Sequence, residues 1–207
     1  MIPDNPQNKS YKDLIKSNLK IIIIIIIIIA LAGITYLIFD INNKNKKIKI
    51  SERFIEAKIL INEGDYKDSL VILDNLIMEK DNIYSPLSLF LIIDRNLEQD
   101  SKTLIKYFDS VLSIKKIDKE DLNLLKLKKA IFISESSKEK ELLDLLNPII
   151  NSSSIWKFDS IKFLGDYYFS MREFKKAEQY YTILLAEENL DIDKDDLKRK
   201  MKLIINE

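Results

Sequence analysis

Ile161-Lys-Phe-Leu-Gly-Asp-Tyr-Tyr-Phe-Ser-Met-Arg-Glu-Phe-Lys-Lys-Ala-Glu-Gln-Tyr-Tyr-Thr-Ile-Leu-Leu185 is the stretch whose reading decides the fold. Leu164 and Gly165 stand side by side, and Tyr168 falls three residues after the glycine. Phe174 sits where a turn would end, followed by Ala177 and Tyr181. This spacing predicts two antiparallel helices. Small residues at Gly165 and Ala177 let the pair approach closely, and the aromatics fill the groove towards the next pair.

The stretch matches the tetratricopeptide pattern, and a second copy covers residues 53–78. Its turn is Gly64-Asp65-Tyr66; Ala57 takes the small slot, with Leu60 after it. Ser69 replaces the usual alanine of the second helix, and Leu73 and Leu76 follow. Two middle units are degenerate. One pairs 86–97 with 102–112, with Leu89 in the small slot; the other pairs 122–133 with 138–146, with Ala130 there. The steps 57→89→130→165 are 32, 41 and 35 residues, scattered around the ideal repeat of about 34. Leu197, Met201, Ile204 and Ile205 are expected on one side of a final capping helix. The plain alternative is an irregular helical domain with chance matches, but two copies at the correct internal offsets argue for repeats.

Working outward, residues 50–207 read as all-α. After residue 39 the chain has only Gly64 and Gly165, and only Pro86 and Pro148. Apolar residues recur at three and four, as at Ile55, Leu60, Leu70, Leu73 and Leu76. Residues 40–49 form a polar, basic juxtamembrane connector, and 1–20 a short polar tail. Between them, 21–39 carries no charge, and its only polar groups are Thr35 and the Tyr36 hydroxyl. As a helix this run spans roughly 28 Å, close to the ~30 Å of a hydrocarbon core. The isoleucine run 21–29 is β-prone in water, whereas in lipid its backbone must bond internally and forms a helix. A cleaved signal peptide, with Ala30-Leu31-Ala32 as its site, is disfavoured because the apolar run continues through Phe39. A buried core helix would show a polar face.

Direction across the bilayer is undecided from residues alone. Lys9, Lys12, Lys16 and Lys20 precede the span; Lys44, Lys46, Lys47, Lys49, Arg53 and Lys58 follow it. The count mildly opposes a cytoplasmic tail, yet long domains translocate largely regardless of charge.

Composition removes several functions. Lys+Arg and Asp+Glu balance at 33 each, so no global basic field favours nucleic acid. With no cysteine there is no disulfide, thiol nucleophile, zinc thiolate or lipid-modified cysteine. With no histidine the commonest general base and metal ligand is missing. No catalytic, cofactor-binding or metal-binding residue and no small-molecule substrate is expected. Ser113-Ile-Lys-Lys116 and Ser17-Asn-Leu-Lys20 match Ser-x-x-Lys by chance frequency. Of the acidic cluster Asp191, Asp193, Asp195 and Asp196, Asp193 or Asp195 fits a helix N-cap better than a calcium ligand.

A short tail, one anchor and a small tetratricopeptide domain resemble the YfgM family, ancillary subunits of the bacterial SecYEG translocon. The resemblance runs from roughly Lys12 to the C-terminus, including Gly64-Asp65-Tyr66, Trp156 ahead of the last repeat and the closing segment 193–205. Departures are Ser69, Arg172-Glu-Phe in place of Gly-Asp-Tyr in the last turn, and the basic flank. The resemblance implies one N-terminal transmembrane helix and a tetratricopeptide-like helical solenoid of about four helix pairs. It further implies an inner-membrane protein with a periplasmic domain that associates with translocon subunits, periplasmic chaperones or exported chains.

Such solenoids bind partners in the concave groove lined by first helices. By slot, Phe54, Lys58, Ile61 and Asn62 would face it from the first copy, and Lys162, Asp166, Phe169 and Ser170 from the last. Core packing competes for Phe54, Ile61 and Phe169, and Trp156 reads as packing. Cytoplasm-facing scaffolding, or an envelope or division scaffold, are the competing functional readings.

Overall fold

The computed structural model of the chain describes residues 19–187, 190 and 192–205, with the backbone alone at Ile22. Residues 1–18 of the expected polar tail, Ser17 among them, lie outside the described residues, as does Asp191. Among the described residues there are nine helices and no strand. The chain divides into two units, Met1–Arg53 and Phe54–Glu207.

In the first unit, α1 (Leu19–Glu63) begins with the isoleucine run, and its apolar part is long and apolar enough to cross a membrane. None of the described side chains from 21 to 39 is buried, unlike those of a core helix. The Thr35 hydroxyl donates to the Leu31 and Ala32 carbonyls at 2.8 and 3.0 Å, so it is satisfied within the helix itself. The basic connector 40–49 is helical as well. Neither glycine nor proline occurs between Gly33 and Gly64, so nothing in the backbone stops the helix there. Lys44 and Asp40 pair at 2.8 Å one turn apart.

The second unit is a run of helix pairs. In chain order these are the end of α1 with α2 (Tyr66–Met78), tied by Ser69 and Ala57, α3 (Tyr84–Asp94) with α4 (Ser101–Leu112), and α5 (Lys119–Ile133) with α6 (Glu139–Ile150); α3 also packs on α2. The last pair is α7 (Lys157–Ser170) with α8 (Phe174–Ala186), and α9 (Lys194–Ile205) packs against α8. Ala57, Leu89 and Ala130 are fully buried in their small slots. At Gly165 an added Cβ would stand 2.6 Å from Cε1 of the buried Tyr181 ring, so α7 and α8 approach as closely as the small residue allows. Ser69 has a reason to replace alanine: it is buried, and its hydroxyl donates to the Ala57 carbonyl at 3.0 Å, tying α2 to the first helix of its pair.

Three helix ends share one turn. Gly64, Asn96 and Arg172 all take positive φ, at 87°, 51° and 59°. In each case the next amide, of Asp65, Leu97 or Glu173, reaches back to the Leu60, Ile92 or Tyr168 carbonyl at 2.8–2.9 Å. Arg172-Glu-Phe therefore builds the same turn as Gly64-Asp65-Tyr66. Aspartates cap four of the helices. Asp65 accepts from the Asp68 amide, Asp100 from Thr103, Asp118 from Glu120 and Asp193 from Asp196. Asp193 is thus the N-cap of α9.

Leu197 is fully buried, and Met201 and Ile204 pack against the core as expected of a capping helix. Ile205 departs from that face: it is 74% exposed, one position past the buried stripe. Trp156 is half-buried against the core at the start of α7, and its carbonyl accepts the Ser160 hydroxyl at 2.8 Å. Ser113 ends α4: its hydroxyl donates to the Ser110 carbonyl and accepts from Lys80.

Candidate interaction groove

First helices line two hollows. The larger, about 620 Å³, is framed by Phe54 and Lys58 of α1, Phe90, Leu91 and Asp94 of α3, and Lys128 of α5. Its walls are apolar between these charged groups, with Leu87 and Ile93 of α3 adding to Phe54, Phe90 and Leu91. Phe54 packs on Tyr84 with ring centroids 5.6 Å apart, which fixes the α1–α3 wall. The Lys128 ammonium lies 5.6 Å from the Phe90 ring centroid. Asp94 pairs with its neighbour Arg95 at 3.4 Å. Lys58 and Lys128 are both exposed, and neither has a carboxylate within 4.0 Å among the described residues.

The smaller hollow, about 290 Å³, lies between the end of α5 and α7. Glu135, Phe163, Asp166, Tyr167 and Ser170 line it, with Phe163 and Tyr167 at 6.5 Å between centroids. Asp166 is committed to structure. Lys162 donates to its Oδ2 at 2.6 Å; Lys200 of α9 and the Tyr181 hydroxyl donate to Oδ1 at 2.7 and 2.8 Å. Burial pushes the Asp166 carboxyl up, but these three donors together outweigh it and hold the group below the ordinary carboxylate range. A parallel knot joins α6 to the last pair. Lys176 and the Tyr168 hydroxyl both donate to Glu139, at 2.7 and 2.6 Å, and hold its carboxyl low.

The expected groove residues separate into three groups. Phe54 and Lys58 line the larger hollow, and Asp166 and Ser170 the smaller one, with Lys162 paired to Asp166. Asn62 is exposed but belongs to neither hollow. Ile61 is buried in the core, and Phe169, half-buried, packs against Phe174 and Tyr181 at 5.8 and 6.4 Å. Phe90, Lys128, Glu135, Phe163 and Tyr167 were not among the expected residues. A signal for two of them was present: Phe90 follows Leu89 as Lys58 follows Ala57, and Glu135 stands to Ala130 as Ser170 stands to Gly165. Among the described residues no group of three or more acidic side chains is placed to hold a metal.

A curated protein of Buchnera aphidicola subsp. Schizaphis graminum (strain Sg), described as an ancillary SecYEG translocon subunit, is 32% identical to this chain over 143 residues. The match covers 66% of this chain and 70% of that protein. No protein-family model matches the chain, and no solved structure matches it.

Proposed function

We propose a role for this chain, which belongs to the family of ancillary SecYEG translocon subunits: it is a membrane-tethered protein-interaction module that assists protein export. The observation that carries this reading is the 32% identity to a translocon subunit, in a chain whose α1 is long and apolar enough to cross a membrane. The chain binds rather than catalyses. Its tetratricopeptide-like helix pairs serve as the binding platform, in the bacterial inner membrane, with translocon subunits, periplasmic chaperones or exported chains as partners. The hollows between first helices support this role, since each offers aromatic walls and accessible charge to a docked segment. In this reading the partner-facing residues are Phe54, Lys58 and Ser170, together with Phe90 and Lys128, all of which line the two hollows.

The C-terminal domain faces the periplasm in this reading. The lysines at 44, 46, 47 and 49 favour the opposite, a cytoplasm-facing scaffold, by the positive-inside rule. A periplasm-active phosphatase fused after the last residue separates the two: activity supports export, and an inactive fusion overturns it. The function itself is tested by purifying the tagged full-length chain from detergent-solubilised inner membranes and probing for SecY. SecY is expected in the eluate and depleted by Phe90→Glu.

A further inference from the structure

The larger hollow pairs apolar walls with an unmatched charge. Phe54, Phe90 and Leu91 supply carbon surface, while Asp94 is already paired with Arg95. That leaves Lys58 and Lys128 without a carboxylate partner among the described residues, one from α1 and the other from α5. An exposed lysine is ordinarily a solvated surface charge. Two that flank one aromatic hollow set up a local positive field where any docking segment excludes water, and exclusion of water strengthens the attraction. The chain as a whole carries no net charge, so this preference is a property of the hollow and not of the protein's overall field.

We propose that the larger hollow receives a partner-protein segment in which an apolar side chain fills the space between Phe54, Phe90 and Leu91 and a neighbouring carboxylate meets Lys58 and Lys128. This rests on the groove reading above and deepens it by naming the chemistry of the occupant. A basic segment is rejected at the same place, because its charge would be brought against two ammonium groups as it loses water.

The test uses the full-length chain in mild detergent and three fluorescent twelve-residue peptides identical except at the positions flanking one Phe-Leu pair. Those positions hold Glu, Gln or Lys. Binding is read by anisotropy at low and high salt. The Glu peptide is expected to bind on the order of tenfold tighter than the Gln peptide, with the Lys peptide weakest. The Glu advantage should shrink as salt rises, and vanish in a Lys58→Gln, Lys128→Gln double variant. Both lysines are exposed, so that variant keeps its fold, which circular dichroism verifies. Equal binding of all three peptides, abolished by Phe90→Ala, overturns the acidic preference and leaves the groove reading standing. Absence of binding, or binding that Phe90→Ala does not change, overturns both.

Discussion

A methyl group added to Gly165 would meet Cε1 and Cδ1 of Tyr181 at 2.6 and 2.8 Å, and that ring has nowhere to go. It is fully buried, and its hydroxyl is held by Asp166. Gly165→Ala is therefore expected to destabilise the last helix pair by about 1–3 kcal/mol, read from the denaturant midpoint of the full chain in detergent. Arg172 presents the opposite case. It takes the left-handed conformation, at φ 59°, that Gly64 takes at the equivalent turn. A non-glycine residue there costs about 1–2 kcal/mol, partly offset by glycine's greater freedom in the unfolded chain. Arg172→Gly should raise stability by about 1 kcal/mol, and Gly64→Ala should lower it by a similar amount. The close approach at Gly165 was legible from its spacing to Ala177. The use of Ser69 was not, because a pattern of small residues does not show that the hydroxyl finds a buried carbonyl one helix away.

At the scale of elements, α9 is joined to the last pair by charge as well as by Leu197. Lys200 and Lys162 converge on Asp166, and Lys176 and Tyr168 converge on Glu139 across α6, α7 and α8. Both carboxyls titrate lower in the folded chain than in the unfolded one. The unfolded chain therefore takes up protons first as the pH falls. The stability these groups contribute is present in full above the ordinary carboxylate range of about 4 and is lost as the pH drops through and below it. Thermal midpoints measured from pH 7 down to 3 should fall, and the fall should flatten in an Asp166→Asn, Glu139→Gln variant. Removing the cap of α9 with Asp193→Ala should cost about 1 kcal/mol, concentrated in faster amide exchange of that helix. Helix pairs could be read from periodicity and the cap of α9 from Asp193 ahead of its run, whereas the caps Asp65, Asp100 and Asp118 emerge from the structure. The reach of α1 through 40–49 could be read only from what is missing between Gly33 and Gly64, a weaker signal than the polar composition that set those residues apart. Asp166 fell on a partner-facing slot by spacing alone, and no spacing rule registers that Lys200, from the far end of the domain, returns to hold it.

For the whole molecule, an uncharged apolar run tethers a set of helix pairs whose first helices leave two hollows between neighbours. The proposed role in export rests on the likeness to a protein described as an ancillary SecYEG translocon subunit, and the chain's charges balance. Both hollows draw on the degenerate middle pairs, where Phe90 and Glu135 can be placed only by their offsets from Leu89 and Ala130 and Lys128 falls on no expected slot. In the last copy Phe163 and Tyr167 also line a hollow from positions that the slot rule does not select. The most direct test places a photo-crosslinking amino acid at Phe90 in the full-length chain and, as a comparison, at the exposed Ile183 of α8, followed by irradiation of intact cells and blotting for SecY, SecE and SecG. The account predicts an adduct with a translocon subunit from position 90 that is weak or absent from position 183. An adduct of equal strength from position 183, or none with any of the three subunits from position 90, would contradict it.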